Sequence, residues 1–165
     1  MPELLSRLLA ILLLRMGPQD LPPGRSPLLA SLSLYIVVAA ISLNTGRTLE
    51  NPTLVLLLAA GLPLLLTWIV LKLRQRLARW EQTLSALYGT SALLSLASLP
   101  LNLQAGPEPA APLVLFSLLV FLWSFIVDAH IWRHALDTSL AGGMAVTVLL
   151  FLLSFAFISS VAGPL

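Results

Sequence analysis

Cysteine is absent from this chain and charge is scarce. Without cysteine there is no disulfide, no thiolate nucleophile and no Cys-based metal site. That leaves the redox compartment open, since a Cys-free chain tolerates either state. Charged residues are 10% of the 165, where a soluble domain carries about a quarter. With 58% hydrophobic residues, the chain cannot cover its own surface with polar groups. Bilayer lipid is the solvent that resolves this. Catalytic signatures are missing as well. There is no Walker A loop, no G-x-G-x-x-G, no H-E-x-x-H and no G-x-S-x-G. The expectation is a protein that is not an enzyme and holds no cofactor. The net charge of +2 does not indicate nucleic acid, because the basic residues flank apolar runs and fit membrane topology instead.

What is present is a series of apolar runs. A membrane span needs about 20 mainly apolar residues. Such runs lie near residues 28–43, 53–73, 83–103, 113–134 and 140–161. Gly61 and Pro63 are expected to kink the second, and Pro100 to lie near the end of the third. Asn44 to Pro52, Lys72 to Glu81, Gln104 to Pro112 and Asp137 to Ser139 mark the connections. The predicted fold class is all-α: a polytopic membrane helix bundle of about five transmembrane helices occupying residues 28–165. Residues 1–27 form a separate N-terminal helix and loop.

The run Leu4–Leu14 is too short to span and ends at Arg15 and Gly17-Pro18. A cleaved signal peptide competes for this segment, but no A-x-A-like site follows. An interfacial helix on the membrane is the favoured reading, with Glu3 and Arg7 paired at i,i+4.

Orientation follows from the basic residues. With the N-terminus inside, the inner side holds Arg7, Arg15, Arg25, Lys72, Arg74, Arg76, Arg79 and Arg133, and the outer side only Arg47. Trp80 and Trp132 then fall near the inner interface, where indole rings prefer to sit. An odd number of spans puts the C-terminus outside.

Polar residues run in helical stripes. Tyr88, Ser91, Ser95, Ser98 and Asn102 share one face, as do Ser31, Tyr35, Ser42 and Thr45. Ser117, Ser124 and Asp128 form another, and Ser139, Gly143, Thr147 and Ser154 a fourth. Small and hydroxyl residues allow close helix approach in lipid, so packing seams are the first reading. A polar path for a solute is the second. Asp128 sits in the apolar stretch Phe125–Ala129, one to two turns from the inner interface. An ionisable group there is a functional candidate by default. Its structural alternative is an acid paired with the Lys72–Arg79 connector or with Tyr88.

His130, His134 and Asp137 fall on one face at i, i+4 and i+7. His-x-x-x-His on a helix can bind a metal. No second helix offers an obvious fourth ligand and no Glu stands between the histidines, so no metal is expected.

The layout resembles the Yip1-domain family of small multispan membrane proteins. Gly17-Pro18-Gln19-Asp20-Leu21-Pro22 precedes the first span, and Leu87-Tyr88-Gly89 followed by Pro100 is similar to that family's third helix. The family's Asp-Leu-Tyr-Gly-Pro motif is absent as such. The resemblance implies five helices, a cytoplasmic N-terminus and a non-enzymatic interaction or trafficking role. The leading expectation is therefore a scaffold or accessory subunit of an inner-membrane assembly. It would partner lipid and a membrane protein or a second copy, not nucleic acid. A small transporter or channel component using Asp128 is the alternative. An intramembrane metalloenzyme using His130, His134 and Asp137 is the third.

Overall fold

The structure, a computed structural model, describes residues 2–45, 51–104 and 110–163. Six α-helices account for most of them: α1 (Pro2–Leu12), α2 (Arg25–Thr45), α3 (Pro52–Leu73), α4 (Trp80–Gln104), α5 (Ala111–Leu136) and α6 (Leu140–Ala162). Short 3-10 turns at Pro18–Asp20 and Leu77–Arg79 join α1 to α2 and α3 to α4. No strand occurs among the described residues. Four helices, α2, α3, α5 and α6, are long and apolar enough to cross a membrane. The chain is a membrane-embedded helix bundle. Its outward side chains agree: Leu57 is 65% exposed and Leu115 58%, a surface suited to hydrocarbon rather than water.

Local chemistry sets the helix ends. Pro52 and Pro112 lie in the first turns of α3 and α5, where a missing N–H costs nothing. The Ser139 hydroxyl accepts the Gly142 N–H and caps α6. The C-terminal ends break the usual pattern. Leu14, Gln75 and Asp137 take left-handed backbone with φ of 59°, 56° and 49°, a place glycine normally fills. The amides of Arg15 and Arg76 reach back five residues to close the first two turns. α3 continues as one helix through Gly61 and Pro63, and α4 passes Pro100 to end at Gln104. Proline is tolerated inside a membrane helix because neighbouring groups satisfy the freed backbone.

α4 is the hub. It packs against α1, α2, α3 and α5, while α6 packs on α5 and α3. The helices α4, α2, α3, α6 and α5 thus follow one another around a ring. The hub role explains α4's composition. Ala86, Gly89 and Ala92 let neighbours approach, the hydroxyls of Ser85, Thr90 and Ser98 bond to carbonyls of their own helix, and that of Thr83 bonds to the Arg79 carbonyl just before it. Gly143 on α6 makes the closest approach. A Cβ there would fall on the Ala129 carbonyl and the Arg133 amide of α5.

α1 is amphipathic, and one of its faces is occupied by protein. Leu8 and Ile11 are buried with Leu21, Ala86, Val127 and Ile131. Leu8 fills the space above Gly89. The Trp123 indole donates to the Leu12 carbonyl at 3.2 Å. His130 Nε2 donates to the Met16 carbonyl at 2.9 Å. Trp123 precedes the end of α5 by thirteen residues, about 20 Å along a helix. The α1 tip therefore reaches well down the bundle, and the chain returns to place Asp20 beside Arg7. Glu3 and Arg7 pair at 2.6 Å as their spacing predicts. Leu5, Leu9 and Leu13 stay exposed on the other face.

Candidate functional site

The five-helix ring lines an open-sided cavity of about 380 Å³. Every one of the five helices contributes to it. Tyr35 comes from α2, Thr67 from α3, Tyr88 and Ser91 from α4, Asp128 and Trp132 from α5, and Thr147 and Ser154 from α6. Most of the remaining wall is aliphatic or aromatic. Its size falls within the range of small-molecule sites, roughly 300–1,000 Å³.

Asp128 is the only charged residue on this wall among the described residues. It lies eight residues before the end of α5, about 12 Å into the helix. No cation pairs with it and no donor bonds to it among the described residues. Both partners considered from sequence are engaged elsewhere. The Tyr88 hydroxyl donates to the Ala60 carbonyl of α3. Two of the connector's arginines, Arg76 and Arg79, pair with Asp137. The boundary acid is thus Asp137, and Asp128 faces the cavity alone.

One other polar group on the wall is also without a partner among the described residues. Thr147 is 5% exposed, and its Oγ1 makes no hydrogen bond there. Tyr35 and Tyr88 pack together with ring centroids 5.2 Å apart. Buried polar groups are normally bonded, so the unpartnered Asp128 carboxyl and Thr147 hydroxyl stand out on an otherwise mostly apolar wall.

No family profile, curated protein or solved structure matches this chain. Its function has to be read from this geometry.

The remaining sequence candidates lie elsewhere. His130 is 6% exposed and holds the N-terminal segment through Met16. Its ring meets that of His134 edge-on at 4.6 Å. Asp137 turns instead to Arg76 and Arg79. No group of three or more His, Asp or Glu side chains within reach of one metal ion occurs among the described residues. Asn102 lies in α4, but its side chain is outside the described residues, as is Arg47. Thr67 and Trp132 also line the cavity but belong to none of the polar stripes. Thr67 is the lone hydroxyl in the apolar run Leu54–Leu71, which was a usable signal. Trp132 was assigned to the interface.

At the C-terminal end of α5 the connector forms a clasp. The Arg79 guanidinium donates to the His134 and Ala135 carbonyls at 2.8 and 3.1 Å and to Asp137 at 3.0 Å. A cation on the last carbonyls complements the helix dipole. The Arg79 hydrogen bond, followed by that of Arg76, holds the Asp137 carboxyl below its ordinary value of 3.8. Since the folded value is depressed, the stabilisation is complete above that ordinary value. It is lost as pH falls through the lower folded value. Melting of the wild type and Asp137→Asn in detergent tests this, because Asn also tolerates left-handed backbone. The wild type is expected to melt higher near neutrality, and the gap to close in acid. A gap unchanged in acid would show that the ion pair contributes nothing.

Proposed function

We propose that this chain is a small solute-binding membrane protein, a transporter or the binding subunit of one, with its ligand held in the five-helix cavity against Asp128. The carrying observation is a carboxyl group within a span that faces a cavity and has no partner. Ionisable groups inside a membrane are costly, and those that face a bundle interior mark substrate or ion pathways. The unbonded Thr147 hydroxyl supports the same reading.

The reading takes α4 as a fifth span. Its 25 residues are long enough, and its place at the hub hides its hydroxyls from lipid. Five spans with eight of nine basic residues on one side give a cytoplasmic N-terminus and an external C-terminus. Short connections and a single lysine among the basic residues fit a bacterial inner membrane.

A ligand screen by thermal shift tests the proposal. Some solutes are expected to raise the melting point of the wild type and not of folded Asp128→Asn. A ligand at a hundred times its Kd adds about 2.7 kcal/mol. Solutes that stabilise both proteins equally would remove Asp128 from the site.

A second reading, the scaffold or accessory subunit, has its own observation. The outer half of α5, including Val114, Leu115, Leu118, Leu119 and Leu122, is bare on nearly every side. The Yip1-like echoes point the same way. A pull-down from membranes that enriches neither a partner nor a second copy would count against it.

A further inference from the structure

We infer that the cavity takes a small organic cation, an ammonium group carried on an apolar body, with Asp128 as its counter-ion and the aromatic wall beside it. The inference rests on the solute-binding reading above and names the ligand class of that site.

Charge decides the sign. Among the described residues Asp128 is the only charged one on the wall, and no lysine, arginine or histidine joins it. An anion would meet a like charge in a medium that screens it poorly. A cation would meet an unpaired carboxylate. Hydrogen-bond acceptors are also in surplus. The Asp128 carboxylate and the Thr147 hydroxyl have no partner among the described residues, while the Tyr88 proton is already committed to Ala60.

Shape and polarity decide the rest. Tyr35, Tyr88, Trp132 and Phe151 bring aromatic rings from four helices, and such rings attract ammonium groups within about 6 Å. Leucines such as Leu66 and Leu150 give an apolar body somewhere to lie. An inorganic cation is a poorer match. Calcium asks for about six to eight oxygen ligands, and this wall is mostly carbon.

Binding should compete with a proton. A carboxyl group in this setting is neutralised either by H⁺ or by the ligand's charge. The titratable groups facing it from packed helices are Tyr35 on α2 and Tyr88 on α4, while α3 and α6 present only hydroxyls. Neither tyrosine titrates in the physiological range, so Asp128 alone would carry the pH dependence.

Equilibrium dialysis tests this with the full chain in nanodiscs of zwitterionic lipid, using protein-free nanodiscs as the blank. The probes are benzyltrimethylammonium, its neutral isostere neopentylbenzene, and benzenesulfonate. The quaternary ammonium carries no ionisable proton, so any pH dependence belongs to the protein. The cation is expected to bind at least about thirtyfold more tightly than the isostere, roughly 2 kcal/mol. Its affinity should fall as the pH is lowered. Asp128→Asn should lose both the preference and the pH dependence, and Asp128→Glu should keep the preference. If Asp128→Asn does not fold, the wild-type pH profile and Asp128→Glu decide the question. Equal binding of cation and isostere, or a cation affinity indifferent to pH, would overturn the cation inference while leaving a solute cavity. Binding of none of the three probes above the blank would overturn the solute-binding reading itself.

Discussion

The Asp128→Leu variant is expected to melt above the wild type. An Asp at the centre of a membrane helix costs about 2.5–3.5 kcal/mol, whereas Leu is slightly favourable. Asp128 faces a cavity rather than lipid, which lowers that cost. It also has no ion pair or hydrogen bond among the described residues to offset it. A gain of about 1–3 kcal/mol is the reasonable scale. Leu fills part of the cavity with carbon and removes the only charge on its wall. The same variant should therefore lose every Asp128-dependent ligand. Gaining stability while losing binding is the pattern of a residue kept for function. Heating detergent-purified protein and reading the folded fraction by size exclusion gives the comparison. A variant that melts below the wild type would mean that the carboxyl group is held by a partner, and the account of Asp128 would fail.

Gly143→Leu is expected to do the opposite and dismantle the α5–α6 pair. The space a Cβ needs is taken by the Ala129 carbonyl and the Arg133 amide, both backbone atoms. Backbone cannot rotate away as a side chain can, so the helices must separate. Their separation would loosen Trp132 from Val146 and Leu150. Overpacking alone costs about 1–3 kcal/mol. Leucine against backbone should exceed that range, and Gly143→Ala should fall within it. Two other glycines calibrate the result. Nothing lies within 4 Å of a Cβ at Gly61, so Gly61→Ala should be neutral or gain up to about 1 kcal/mol. Gly89→Ala meets the flexible end of Leu8 and should fall between them. Melting curves that put Gly143→Ala level with Gly61→Ala would rule out the close contact.

How much of this was legible in the sequence depended on whether the signal was local. Helix positions were legible, because hydropathy is summed along one segment. The runs near 53–73 and 140–161 became helices Pro52–Leu73 and Leu140–Ala162. Helix ends were harder. Rules that look for glycine or asparagine at the left-handed position pass over Leu14, Gln75 and Asp137. The polar stripes gave Tyr35, Tyr88, Ser91, Asp128, Thr147 and Ser154, all of which line the cavity. A stripe shows which residues share a face but not which faces meet. Sequence alone could not tell a closed seam from an open one. It also offered Asp128, and not Asp137, as the partner of the connector's arginines. Only the packing of α3 and α4 against the end of α5 assigns Arg76 and Arg79 to Asp137.

The docking of α1 has a consequence for how the protein is made. Its two marker bonds, Trp123 to Leu12 and His130 to Met16, join residues 111 and 114 apart in the chain. Synthesis runs from the N-terminus, so α1 leaves the ribosome long before its seat on α4 and α5 exists. During that interval Leu8 and Ile11 have no protein cover and must rest on lipid or a chaperone. A helix translated before its seat is thus among the last to be locked in place, and its arrival reports that α5 has been inserted and packed.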